Sequence, residues 1–181
     1  MSQAVSRVLV IGTSCAGKST FARALAQVQA LPYVELDQLF WAPNWTAKPV
    51  EDFRALASAA TAGESWVVDG NYGDVRDILW PRANLVIWLN YSFPVILWRA
   101  LRRTVRRNFT RQELWHGNRE SLKRSFLSRE SILVWVSTTF RKRQRQFAAL
   151  RESGTFPQVT WVEFNRPAQA QQFLRSFSNA R

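Results

Sequence analysis

The chain has 181 residues, of which 46% are hydrophobic and 21% are charged, values typical of one folded globular domain rather than a disordered chain. Its lone cysteine excludes an internal disulfide, its lone histidine leaves too few ligands for a Cys/His zinc site, and its interrupted apolar segments do not predict a membrane span. The net charge of +12 is concentrated in residues 99–151, where fifteen Lys and Arg accompany three acidic residues. This predicts either a polyanionic partner, such as a nucleic acid or a nucleotide, or simply a solvated arginine-rich helical face. No secretory signal is predicted, and we expect a cytoplasmic protein.

The first predicted strand, residues 8–11, runs directly into a stretch that fits the phosphate-binding pattern G-x-x-x-x-G-K-[ST] and is followed by a predicted helix at residues 18–30. Gly12 and Gly17 let the backbone bend around a phosphate, so that the loop N–H groups point at the anion. Lys18 is expected to reach the β- and γ-phosphates. A degenerate loop that has lost its ligand is the alternative. We expect the nucleotide to contact Gly12, Thr13, Ser14, Cys15, Ala16, Gly17, Lys18, Ser19 and Thr20.

A second apolar segment, residues 33–36, ends at Asp37. Because the carboxyl ends of the strands carry the site in open α/β sheets, Asp37 is expected to face the γ-phosphate. The aromatic stretch 40–45 predicts either a loop that stacks Trp41 on a flat acceptor or one that packs on the flank of the domain. Residues 50–62 have the spacing of an Ala-rich helix.

A third strand pattern, residues 65–69, ends at Asp69. Apolar residues running into an aspartate are typical of a Walker B strand, whose carboxylate holds Mg²⁺ directly or through water. In the tight turn 70–73 that follows, Asn71 either contacts the acceptor or serves only the turn. The unbroken apolar run 85–89 predicts a fourth strand buried on both faces.

A helix is predicted for residues 94–107, with Arg99, Arg103 and Arg106 on one face. Like charges at this spacing repel, so their concentration indicates that an anion binds there. Residues 108–118 lack periodicity and predict a loop.

The remaining patterns are a long helix at about 120–151, a strand at 158–164 and a helix at 167–177. Strands and helices thus alternate over most of the chain. This order predicts an α/β, three-layer fold with a mostly parallel five-stranded sheet and helices on both faces.

The most informative stretches, which together span nearly the whole chain, are Gly12–Ser19, Glu35–Trp41, Asp69–Tyr72, Val86–Leu89 and Leu114–Ser121. Their combination resembles the nucleoside- and nucleotide-kinase branch of the P-loop proteins, and within it the adenylate kinase-like proteins called DNA topology modulation proteins. The resemblance implies the P-loop NTPase fold, ATP and Mg²⁺ as cofactors, an acceptor-binding insertion at about 37–64 and a helical, arginine-rich lid at about 108–129.

The resemblance also implies roles for three arginines. Arg99 and Arg103 occupy the positions from which kinases of this class contact the phosphates, and Arg119 is a candidate second contact from the lid.

One departure concerns the acceptor. Adenylate kinases follow Asp-Gly with Phe-Pro-Arg, whose arginine grips the acceptor phosphate, whereas this chain has Asn71-Tyr72-Gly73. Arg54 or Arg76 could replace the missing arginine. The difference argues against AMP as the acceptor.

The sequence therefore predicts Mg²⁺- and ATP-dependent phosphoryl transfer to a small acceptor, namely a nucleoside, a nucleotide or a similar metabolite. Asp37 serves as a base if the acceptor group is a hydroxyl, and as a binding or metal-shell residue if it is a phosphate. The alternatives are an ATP-regulated nucleic-acid-binding protein that affects DNA topology, and a plain NTPase. The predicted residues are Lys18, Asp37, Arg99, Arg103 and Arg119 for catalysis, Ser19 and Asp69 for the metal, and Asp37, Trp41, Arg54 and Asn71 for the acceptor.

Overall fold

The computed structural model describes residues 6–110, 113–118 and 132–178. Its main sheet has five parallel strands in the order β2-β5-β1-β6-β7. A short antiparallel hairpin of β3 and β4 forms a second sheet. The strands are β1 (Arg7–Gly12), β2 (Tyr33–Glu35), β3 (Trp41–Ala42), β4 (Thr46–Ala47), β5 (Trp66–Asp69), β6 (Leu85–Leu89) and β7 (Thr160–Phe164).

Helices pack on both faces of this sheet, as the sequence predicts. None of the helices in the described ranges is both long enough and apolar enough to cross a bilayer. The helices are α1 (Lys18–Gln29), α2 (Leu36–Phe40), α3 (Val50–Ala60), α4 (Arg76–Leu79), α5 (Phe93–Thr110), α6 (Ile132–Glu152) and α7 (Pro167–Ser178).

The central strands β1, β5 and β6 are largely apolar because both of their faces are covered. In β1, Val8 and Val10 point into a cluster with α1, α5 and α7, whereas Leu9 and Ile11 point into a cluster with α3 and α4. This is the alternation expected of a parallel strand buried on both sides. Helix α6 contributes Phe140 to the first cluster and other side chains to the second, so it covers part of both.

The strand order brings the predicted site residues to one edge. β1 lies between β5 and β6, with Val10 opposite Asp69 and Gly12 opposite Leu89. β2 pairs with β5 so that Glu35 lies opposite Asp69. The loops that follow β1, β2 and β5 therefore meet at the carboxyl edge of the sheet.

Two local predictions differ from the structure. Residues 36–40 form helix α2 instead of a strand end and loop. Its first residue, Leu36, is buried against Gly70, where an added Cβ would lie 2.8 Å from the Leu36 side chain. The loop predicted at 108–118 begins later, because α5 continues to Thr110, whose hydroxyl donates to the Arg106 carbonyl at 2.9 Å. The start of the long helix predicted at about 120 lies outside the described residues.

Candidate active site

The loop between β1 and α1 adopts a conformation that depends on its glycines. Gly12 has φ 152° and Gly17 has φ 91°, in a region that side chains disfavour. A Cβ at Gly12 would lie only 2.7 Å from the Leu89 carbonyl oxygen. Inside the loop, the Ala16 N–H donates to the Thr13 carbonyl at 3.2 Å. The chain is thus held tightly against the sheet edge as it enters α1.

The start of α1 is suited to binding an anion. Gly17 caps the helix without a side-chain hydrogen bond, and the first turn contains no acidic residue. Unpaired N–H groups and the helix dipole attract negative charge at such a position. The Lys18 ammonium lies over the loop and donates to the Thr13 carbonyl at 3.3 Å. Ser14, Cys15 and Lys18 are half-buried, and Thr20 is exposed in the first turn.

Asp69, at the end of β5, is 4% exposed and accepts a hydrogen bond from the Tyr33 hydroxyl at Oδ2, at 3.1 Å. Burial raises the pKa of Asp69, the Lys18 ammonium and the nearby Ser19 hydroxyl lower it, and the charge of Asp37 raises it again. The two residues predicted to hold the metal are therefore neighbours, beside the P-loop lysine.

Glu35 adds a third carboxylate to this edge of the sheet. Burial raises the pKa of Glu35, and so does the charge of Asp69, while a hydrogen bond from Trp115 and the charge of Arg23 lower it. Arg23 forms an ion pair with Glu35 at 3.3 Å. Burial and the negative charge of Asp69 thus both disfavour the ionised form of Glu35 at this edge. Ser19 and Asp69 fit Mg²⁺, which binds proteins through one or two carboxylates together with phosphate oxygens and water.

Asp37 lies in the first turn of α2, and its carboxylate accepts a hydrogen bond from a tyrosine hydroxyl. The Tyr72 hydroxyl donates to Asp37 Oδ1 at 2.6 Å, and the Trp41 indole lies close enough to Tyr72 to lower the pKa of the phenol. Burial and the charge of Asp37 raise the pKa of Tyr72, so the phenol stays protonated as a donor. Within the part of the chain that the structure describes, no other hydrogen bond reaches the Asp37 carboxylate. Its second oxygen is therefore available to a ligand.

Arg99 of α5 packs directly on the P-loop. Its Nη1 donates to the Ala16 carbonyl, and its guanidinium carbon lies 4.9 Å from the centre of the Tyr91 ring. A Cβ at Gly17 would lie 2.9 Å from this nitrogen, so Gly17 also makes room for Arg99. Arg103 is half-buried one turn further along α5. Arg119 and the adjoining part of the predicted lid lie outside the described residues.

The structure gives two of the predicted acceptor residues other partners. Asn71 pairs with the backbone of Gly12, to whose carbonyl its Nδ2 donates and from whose N–H its Oδ1 accepts at 3.4 Å. Arg54 donates to both carboxylate oxygens of Asp77, at 2.8 Å and 2.6 Å, and to the Asp74 carbonyl. The structure thus places Asn71 against the P-loop backbone and Arg54 in an ion pair, and the acceptor contacts of both residues stay predictions.

Trp41, the remaining predicted acceptor residue, lies in a row of aromatic rings. Its ring centre is 4.9 Å from that of Phe40 and 5.6 Å from that of Trp45. Two side chains of this region, Tyr33 and Trp115, were not among the predicted site residues. The hydroxyl of Tyr33, on a short strand that also carries Glu35, was the local sequence signal for the first of these two side chains.

No family model and no curated protein matches the chain. Its fold is similar to that of several solved kinases at low sequence identity. A gluconokinase from Sinorhizobium meliloti 1021 has a TM-score of 0.52 and 17% identity over 97% of this chain and 93% of that one. A shikimate kinase from Acinetobacter baumannii, in complex with shikimate, has a TM-score of 0.55 and 15% identity over 99% and 96%. A shikimate kinase from Aquifex aeolicus VF5 has a TM-score of 0.52 and 14% identity over 96% and 97%. The chain therefore has the α/β fold found in these small-molecule kinases.

Proposed function

We propose that the protein transfers the γ-phosphoryl group of ATP, in the presence of Mg²⁺, to a hydroxyl group of a small metabolite. The observation that supports this best is the meeting of Lys18, the Ser19–Asp69 pair and Asp37 at one edge of the sheet. Kinases catalyse mainly by positioning and by charge stabilisation, and these side chains supply both.

The nucleotide half of the proposal uses the P-loop and its neighbours. The N–H groups of residues 12–20 and the start of α1 bind the phosphates, and Lys18 neutralises their charge. Arg99, which contacts the Ala16 carbonyl, stabilises the negative charge of the transferring group, and Arg103 and Arg119 assist from α5 and the lid. Ser19 and Asp69 would hold Mg²⁺, which would supply further charge stabilisation to the phosphates.

A hydroxyl acceptor fits Asp37 better than a phosphate acceptor does. A carboxylate accepts the proton of a hydroxyl, whereas it repels a phosphate dianion. Tyr72 occupies Oδ1 and fixes the carboxylate, so that the other oxygen can take the proton. Trp41 offers a ring surface beside this group. The similar folds of a gluconokinase and of shikimate kinases agree with a small-molecule acceptor bound by about residues 37–64.

The test is ATP consumption with Mg²⁺ across a panel of nucleosides, nucleoside monophosphates, sugars, polyhydroxy acids and short DNA. We expect one small hydroxyl compound to stimulate turnover strongly and to be recovered as its phosphate ester. Lys18→Ala is expected to abolish transfer in a folded protein. Lys142→Ala, at an exposed position of α6, is the matched control and should retain it. Stimulation by DNA alone, weakening with salt, or turnover that survives Lys18→Ala, would refute the proposal.

A further inference from the structure

The turn Leu114–Asn118, called the clasp below, docks on α2 and on the β3–β4 hairpin more than 70 residues earlier in the chain. Asn118 makes the central contact: its Oδ1 accepts from the Trp45 N–H at 2.8 Å, and its Nδ2 donates to the Ala42 carbonyl at 2.9 Å. The His116 Nε2 contacts the Gln38 carbonyl at 3.1 Å. Asn118 is 4% exposed, so its amide is sealed inside the contact.

The clasp also reaches the acidic end of the site. The Trp115 indole lies close enough to the Glu35 carboxylate, two residues before Asp37, to lower the pKa of that group. The centre of the Trp115 ring lies 6.3 Å from that of the Trp45 ring, and the two ring planes are nearly perpendicular. The row of rings that begins at Trp41 thus continues through Trp45 to the clasp.

The clasp is a turn with its own internal hydrogen bonds. The Leu114 N–H donates to the Asn118 carbonyl at 2.7 Å, and the Asn118 N–H donates to the Trp115 carbonyl at 3.2 Å. His116 has φ 56° and Gly117 has φ 79°. The backbone is therefore folded so that Trp115, His116 and Asn118 all contact the same neighbouring segment.

The hairpin needs this support. It has only two residue pairs, Trp41 with Ala47 and Ala42 with Thr46, and a ladder of that length is not stable by itself. Trp45 has φ 55°, a left-handed conformation that a bulky residue adopts only when its surroundings impose it. The backbone N–H of this strained residue donates to Asn118 Oδ1.

We propose that the clasp is a specificity element of the acceptor site. Asn118 is a positioning residue that holds the Trp41 and Trp45 rings beside Asp37. Trp115 forms a wall against an acceptor that contains a ring and bears a hydroxyl group. This inference rests on the proposed kinase function. Aromatic side chains recognise the flat face of such a molecule, while Asp37 binds its hydroxyl.

The test compares Asn118→Ala with the wild type in two measurements. The first is amide hydrogen exchange at Trp45, which we expect to become faster by about tenfold or more, because the N–H loses its acceptor. The second is steady-state kinetics, in which the acceptor KM is expected to rise about tenfold while the ATP KM stays within about twofold. Gln171→Ala removes an exposed amide side chain of α7, outside the acceptor-binding segment and the clasp, and should change neither measurement.

A second variant, Trp115→Phe, replaces the indole by a smaller ring and removes the indole N–H that lies near Glu35. It should raise the acceptor KM without accelerating exchange at Trp45. Faster exchange at Trp45 with an unchanged acceptor KM would overturn the proposal and leave the kinase function intact. Equal increases in both KM values would also overturn it, because they indicate a general structural role. If the wild type phosphorylates no acceptor in the panel, the kinase function itself fails and the clasp loses its assignment.

Discussion

The side-chain amide of Asn71 and the backbone of Gly12 form a reciprocal hydrogen-bonded pair, 59 residues apart in the chain. Gly12 is the last residue of β1 and the first of the P-loop. An amide side chain can donate and accept at once, so it occupies the place that a neighbouring strand would otherwise take. The turn after β5 thereby fixes the first peptide of the phosphate-binding loop.

Asn71→Asp is expected to disturb this pair, because a carboxylate cannot donate to the Gly12 carbonyl and instead repels it. We expect the ATP KM to rise by about tenfold or more, with a smaller change in the acceptor KM. Steady-state kinetics with each substrate varied in turn measure both values. An acceptor KM that rises while the ATP KM does not would indicate that Asn71 binds the acceptor instead. Gln172→Glu, the same amide-to-carboxylate exchange at an exposed position of α7, is the control.

The position of the sheet edge could be predicted from the sequence, but the contacts of several side chains at that edge could not. The apolar runs before Gly12, Asp37 and Asp69 predict buried parallel strands, and such strands bring their carboxyl ends together whatever the details of packing. The partners of Asn71 and Arg54 could not be predicted, because one side chain contacts a loop 59 residues away and the other an acid on a different helix.

Short secondary-structure elements also could not be predicted from the sequence. Helix α2 has five residues and the hairpin strands have two each, too few for a periodic pattern to be visible. The docking of Asn118 on Trp45 depends on two left-handed residues in the clasp, His116 and Gly117, of which only the glycine is recognisable as a turn residue.

Asp37→Asn is expected to lower kcat by about tenfold or more, because an amide cannot take the proton of the acceptor hydroxyl. The Tyr72 hydroxyl can still donate to the amide oxygen, so the fold and the acceptor KM should change little. Asp52→Asn, at an exposed position of α3, is the matched control. Unchanged kcat in the Asp37 variant would show that the carboxylate is not the base.

Arg99→Lys tests whether the guanidinium on the P-loop has a specific shape requirement. Lysine keeps the charge but loses the planar group that contacts the Ala16 carbonyl and lies over Tyr91. We expect kcat/KM for ATP to fall about tenfold and the free energy of unfolding to fall by about 1 kcal/mol. Arg102→Lys, exposed on the same helix, should behave as the wild type in kinetics and in denaturant unfolding. Equal behaviour of the two variants would mean that only charge matters at Arg99.

Asp69→Asn is expected to abolish Mg²⁺-dependent turnover and yet to stabilise the protein in the absence of ligands. Burial raises the pKa of Asp69, so its ionised form is unfavourable in the folded state. An asparagine can still accept the Ser19 and Tyr33 hydroxyls through Oδ1, and it brings no charge near Asp37. The free energy of unfolding at about pH 7 should therefore be higher in the variant, as measured by urea titration without nucleotide or metal.

The pH dependence of this difference follows from the direction of the shift. A carboxyl whose pKa is raised by folding destabilises the folded state only where it ionises, so wild type and Asp69→Asn should coincide below about pH 4. The advantage of the variant should grow as the pH rises through the raised pKa and then stay constant. Asp77→Asn provides a control of opposite sign, because the Arg54 hydrogen bonds lower the pKa of Asp77. That variant should be no more stable than the wild type at neutral pH. A wild type more stable than Asp69→Asn at neutral pH would mean that the Lys18 charge and the two hydroxyls outweigh burial at Asp69.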